Sequence, residues 1–175
     1  MTSEGDLYDW NDHLTGRMQR ARDCIVPWVV GTTPLKDKRI LEIGCGTGSS
    51  TVAFAEQGAQ ITAIDIHEPS LNVARDRMAA HALEAQFLHQ NMIPQGEYDL
   101  VLMYAVLEHM TLDERLGALR TAWSLIAGGG HLVVVETPNR LWYFDDHTAQ
   151  QDFYLWLPND LALRYAHRTP RAKFQ

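Results

Sequence analysis

The sequence predicts an α/β domain with a doubly wound parallel sheet, three layers deep in the order α-β-α. Three observations predict it. Short apolar runs alternate with helical stripes from Arg39 onward. Glycines occupy alternate positions just after the first of those runs, and an acid, Asp65, closes the second. Apolar strands alternating with helices imply a parallel sheet covered on both faces.

Taken in order, the first thirty residues read as helix. Leu14, Met18, Ala21, Ile25 and Trp28 recur at steps of three and four, which predicts one buried face. Pro27 is expected to kink or end that helix, and 31–34 reads as a connector. A compact run at 40–43 predicts the first strand, and 49–57 a helix stopped at Gly58. The run 61–64 is the second strand. A helix over 69–82 is predicted to bury Leu71, Ala74, Met78 and Ala82. Phe87 and Leu88 mark a short third strand, and 100–103 the fourth. Leu112, Leu116, Leu119, Trp123 and Ile126 form a helical stripe, 128–130 breaks it, and 132–135 is the fifth strand. Beyond it, 153–157 is short and aromatic, and 159–166 reads as helix with Leu161, Leu163 and Tyr165 as its apolar members. The expected organisation is a helical cap at 1–34, a core at 35–139, and a substrate-side loop and C-terminal helix at 140–175, all one domain.

Composition bounds the function. At 175 residues the chain suits one core. No apolar run approaches the roughly 18 residues of a membrane span. Residues 1–6 are polar and acidic, unlike a secretory signal, and two cysteines make no disulfide framework, so a cytoplasmic location is expected. Net charge is −7, and the basic-leaning stretch is confined to 164–173. That argues for a small-molecule partner over nucleic acid, whose phosphates call for a basic patch.

In open α/β sheets ligands sit beyond the C-terminal strand ends. There the chain carries Glu42-Ile-Gly44-Cys-Gly46-Thr-Gly48. Glycine allows a ligand to approach the bare backbone, and a helix N-terminus presents free N–H groups. Asp65 can accept both hydroxyls of an adenosine ribose. Together these indicate a ligand containing adenosine. The dinucleotide fingerprint does not fit: counted from Gly44 its third glycine falls on Ser49, and from Gly46 on Thr51.

The segment 40–48 instead resembles motif I of class I S-adenosylmethionine-dependent methyltransferases, whose fold is Rossmann-like. The resemblance continues through Ile64-Asp65-Ile66, Tyr98-Asp-Leu-Val101, Val106-Leu-Glu-His109 and the glycines 128–130. It implies that Glu42 anchors the loop near the methionine amine, and that Gly44, Cys45, Gly46 and Gly48 cradle the cofactor. It implies that Asp65 binds ribose, Ile66 packs on adenine, and Asn91 with Met92 reaches the adenine edge. Tyr104 would line the methionine end, and Arg17, on a helix that also carries Trp10 and His13, the cofactor carboxylate. Some related O-methyltransferases bind a divalent cation with a glutamate three residues before the Glu-His pair. Here that position is Ala105, so no metal is expected. Glu108 and His109 can cap the next helix or face substrate. His109 and His147 are the candidate bases, the latter in a stretch of aromatics 142–144 with Asp145 and Asp146.

The implied reaction is methylation of a hydroxyl, or an amine, of a small molecule, with S-adenosylhomocysteine as product. The alternatives are a non-catalytic module that binds the same cofactor, and a nicotinamide-linked oxidoreductase. The family's sheet normally ends in an antiparallel pair, strands six and seven. Only 39 residues follow Glu136, without two β-rich runs, so both strands are expected to be missing. An open edge on strand five would then invite the tail, a second subunit in a homodimer, or the remainder of a longer protein.

Overall fold

A computed structural model describes residues 15–89, 94, 96–139, 141–145 and 149–168. Five strands form one sheet: β1 (Arg39–Ile43), β2 (Gln60–Asp65), β3 (Gln86–His89), β4 (Tyr98–Tyr104) and β5 (Ile126–Val135). Their order is β3-β2-β1-β4-β5, every pairing is parallel, and the order reverses beside β1. This is the expected doubly wound sheet, and the described residues contain no sixth or seventh strand. Among them β5 pairs on one side only, with β4. No described helix is long and apolar enough to cross a membrane.

Period-two alternation splits the core between the two faces. Ile40, Leu100 and Leu102 point to one face with Ile25, Val29 and Phe54. Leu41, Val101 and Met103 point to the other with Leu107 and Ala122. Leu41 and Val101 are fully buried, and burial of such side chains stabilises by about 1.5–3 kcal/mol each. The chain divides into two compact units, Met1–Val135, which holds this core, and Glu136–Gln175.

Helices α1 (Arg17–Arg20) and α2 (Val26–Val30) are joined by a π-helical turn, Ala21–Ile25. The turn corrects the sequence reading. Trp28 is 61% exposed, while Ala21, Ile25 and Val29 are buried at steps of four. A π turn is wider than an α turn, so the buried row advances by four and passes over position 28. Pro27 sits in the first turn of α2, where its missing N–H costs least.

Helix α3 is Ser49–Ala55 and α4 is Glu68–Ala80. Leu71, Ala74 and Met78 are buried as expected. Ala82 is not: the helix has ended, and Ala82 is exposed with φ +53°. Helix α5 (Leu112–Ser124) opens with a capping box, Thr111 Oγ1 accepting from Glu114 N and Thr111 N donating to Glu114 Oε2. Its predicted stripe is corrected too. Leu112, Leu116 and Trp123 are exposed, and the helix packs through Ala118, Leu119 and Ala122. Ile126 belongs to β5, which begins earlier than predicted. Glycines 128–130 do not break a helix there; they form a bulge, since Tyr98 pairs Ile126 while Leu100 pairs His131. A Cβ on Gly130 would stand 2.8 Å from Asp99 O.

Among the described residues of the second unit, an antiparallel bridge joins Phe144 and Asp152, a 3-10 turn spans Tyr154–Trp156, and α6 is Asn159–Ala166. Asp145, 1% exposed, accepts from Ala149 N.

Candidate functional site

The glycine loop leaves β1 and returns into α3 at the point where strand order reverses. Gly44 N and Cys45 N donate to Ile64 O at 2.8 and 3.1 Å, which ties the loop to β2. Gly44, Gly46 and Gly48 have φ of +75°, +52° and +77°. The three differ in what surrounds them. A Cβ on Gly44 would collide with Val106, and one on Gly48 would stand 2.9 Å from the Cβ of Ala74. A Cβ on Gly46 would meet nothing within 4 Å. Gly44 and Gly48 therefore allow neighbouring elements to close on the loop, and Gly46 presents bare backbone to open space.

Alternation along β1 puts Glu42 on the face of Ile40, beneath α3. It is 1% exposed, and it accepts from Ser50 Oγ and, at 2.6 Å, from Thr51 Oγ1. Burial pushes its carboxyl up to about 7 from the usual 4.5, against the lowering effect of the two hydroxyls, and the nearby Asp65 charge adds to the rise. Glu42 thus clamps α3 to β1 from below the loop. Cys45 has its side chain in the core, and burial raises its thiol well above the usual range.

Asp65 ends β2, half-buried. Oδ2 accepts from Gly46 N at 2.7 Å and Oδ1 from His67 N at 2.9 Å. Each oxygen keeps a further lone pair for a ligand hydroxyl. Ile66, next in line, is 66% exposed, and its carbonyl accepts from His89 Nε2 at 3.0 Å. Apolar surface held open beside a carboxylate suits a flat ring joined to a ribose.

Tyr104 ends β4, 6% exposed. His109 lies in the 3-10 turn Leu107–His109 with its side chain 65% exposed, and Nε2 is 3.9 Å from Glu108 Oε1. Arg17 is half-buried in the first turn of α1. Asn91, Met92, His147, Trp10, His13 and Asp146 lie outside the described residues. The structure brings Glu42, the glycine loop, Asp65 and Ile66 together at one end of the sheet. Sequence reasoning missed Ser50 and Thr51 as partners of Glu42, and His89 behind Ile66. It also missed the Thr111–Glu114 box, although Thr-x-x-Glu before an apolar stripe is a readable signal.

The chain is similar to known proteins. Residues 40–130 match the family described as a methyltransferase domain. The chain is 32% identical over 120 residues to a ubiquinone biosynthesis O-methyltransferase of Stutzerimonas stutzeri (strain A1501), covering 66% of this chain and 50% of the relative. It is 34% identical over 115 residues to the protein of that name from Caulobacter sp. (strain K31), covering 63% and 44%. The chain therefore spans about half the length of the curated relatives it matches. Among solved structures it resembles the magnesium protoporphyrin IX methyltransferase of Synechocystis PCC 6803 with bound SAM, at TM-score 0.63 and 26% identity, covering 78% of this chain and 66% of that one. A methyltransferase of Clostridium acetobutylicum ATCC 824, 17% identical, shares the fold at TM-score 0.63 over 74% of this chain and 56% of that one. With the matched segment running from β1 through the glycine loop, Asp65 and β4 into β5, this chain belongs to the methyltransferase-domain family, with a class I S-adenosylmethionine-dependent fold.

Proposed function

We propose that this chain binds S-adenosylmethionine and transfers its methyl group to a hydroxyl of a small-molecule acceptor. The observation that carries the reading is the juxtaposition of Asp65, the bare backbone of Gly46 and the exposed Ile66. Asp65 would take the ribose hydroxyls and Ile66 the adenine face, with Asn91 and Met92 at its edge. Backbone at 44–48 would cradle the amino-acid end, with Glu42 beneath it, Tyr104 beside it and Arg17 toward its carboxylate. The cofactor supplies an electrophilic methyl on a positive sulfur, which leaves as a neutral thioether. The protein's share is to align the acceptor oxygen with that methyl and to exclude water. His109 and His147 remain the candidate bases for an acceptor hydroxyl. The hydroxyl is favoured over an amine because the curated relatives are O-methyltransferases.

The decisive experiment incubates the protein with methyl-labelled S-adenosylmethionine and a panel of phenolic and aliphatic hydroxyl compounds. Label in an acceptor, with matching S-adenosylhomocysteine, is the expected result. Binding of the cofactor without transfer to any acceptor supports a non-catalytic module instead, and preference for NADH an oxidoreductase.

Gly46→Ala is expected to weaken cofactor binding at least tenfold in calorimetry. The methyl group meets no protein atom, so steric loss falls on the ligand. The left-handed backbone adds a stability cost of about 1–2 kcal/mol, visible in thermal unfolding. Unchanged affinity would mean that the loop does not face the ligand.

A further inference from the structure

Glu108 stands in the turn after β4. Its side chain is only 6% exposed, and Oε2 has no hydrogen-bond partner. Oε1 has His109 Nε2 at 3.9 Å, beyond hydrogen-bond reach. A buried carboxylate oxygen left unsatisfied destabilises the fold, and such groups call for an explanation. Helix capping does not supply one, because Thr111 and Glu114 already cap α5 reciprocally. With alanine at 105, no second carboxylate stands three residues ahead to share a cation.

The surroundings place Glu108 at the ligand end of the sheet. Ala105 has φ +51°, a left-handed conformation that strains a residue with a side chain, and its N–H is held by Val135 O at 2.9 Å. That kink turns the chain across the C-terminal end of β4. Val106 then fills the space against Gly44 of the cofactor loop. Two residues on, Glu108 is buried with a free acceptor oxygen.

We propose that Glu108 is the group that receives the acceptor hydroxyl. This rests on the methyltransferase reading above and assigns to Glu108, in place of His109 or His147, the proton of the acceptor hydroxyl. Oε2 accepts the O–H hydrogen bond, which aligns the oxygen, and takes the proton during transfer. The balance is closed: the acceptor O–H bond breaks with its proton passing to Oε2, the new O–CH3 bond forms, and the S–CH3 bond breaks with its electron pair staying on sulfur. A donor on the ligand completes the carboxylate that the free protein leaves unsatisfied.

The test compares wild type with Glu108→Gln and Glu108→Leu in three measurements. They are thermal unfolding of the ligand-free protein, calorimetric titration with S-adenosylhomocysteine, and binding and methylation of catechol, or of whichever hydroxyl compound in the panel above is methylated. Both variants are expected to unfold at or above the wild-type temperature, because the carboxylate with an unsatisfied buried oxygen is gone. Both should bind S-adenosylhomocysteine within threefold of wild type. Acceptor affinity in the homocysteine complex should fall at least tenfold in the leucine variant, and methyl transfer at least 100-fold in both. Lower unfolding temperatures in both variants would make Glu108 structural and overturn the proposal, as would glutamine turning over at the wild-type rate. A wild type that binds S-adenosylhomocysteine but methylates no hydroxyl defeats the proposed function itself, and the assignment of Glu108 with it.

Discussion

Asp65→Ala is expected to raise the dissociation constant for S-adenosylhomocysteine by about 100-fold or more. Two ligand hydroxyls would lose a charged acceptor, and hydrogen bonds to charged groups contribute about 1.5–3 kcal/mol each. The loss has a second source in the fold. Oδ2 also holds Gly46 N at 2.7 Å and Oδ1 holds His67 N at 2.9 Å, so the substitution releases the loop that should meet the ligand. Asp65→Asn separates the two. Its amide keeps one acceptor oxygen but replaces the other with a donor, which opposes the N–H it faces. An intermediate affinity is expected for it. Calorimetry on each variant, with folding checked by circular dichroism, measures both. Affinity within twofold of wild type in Asp65→Ala would remove the ribose site from β2.

The second large effect is on stability and pH. Glu42 has its carboxyl raised from 4.5 to about 7, chiefly by burial. The folded protein therefore holds a proton that the unfolded chain releases between those values. Where the native state binds more protons, stability falls as pH rises. The contribution is fully present below about 4.5 and is lost as pH passes about 7. Its size is on the order of 3 kcal/mol, at 1.36 kcal/mol for each pK unit. Glu42→Gln keeps an acceptor for Ser50 and Thr51 without a titrating group. Denaturant unfolding between pH 5 and 8 should show wild type losing stability relative to Glu42→Gln across that range. Parallel curves for the two proteins would place the charge change elsewhere.

The Asp65 effect belongs to a residue whose chemistry is plain from local pattern, and the Glu42 effect does not. By itself, the sequence determined the strands, the helices between them, the glycine loop and the acid after the second strand. Each of these is local: an apolar run, a period, or a backbone conformation that only glycine adopts freely. Which face each helix buries was decided in three dimensions. Ala21, Ile25 and Val29 took the core because a π turn shifted the row past Trp28, and α5 turned Ala118, Leu119 and Ala122 inward while its larger side chains stayed exposed. The glycines 128–130 became a bulge because Tyr98 and Leu100 had to keep their pairing with β5. The division of labour among Gly44, Gly46 and Gly48 depended on Val106 and Ala74, which approach from elements distant in the chain. The proton on Glu42 and the unsatisfied oxygen of Glu108 depend on what surrounds each carboxylate after folding. A residue's type fixes what it can donate or accept, but its solvation and partners come only from tertiary packing.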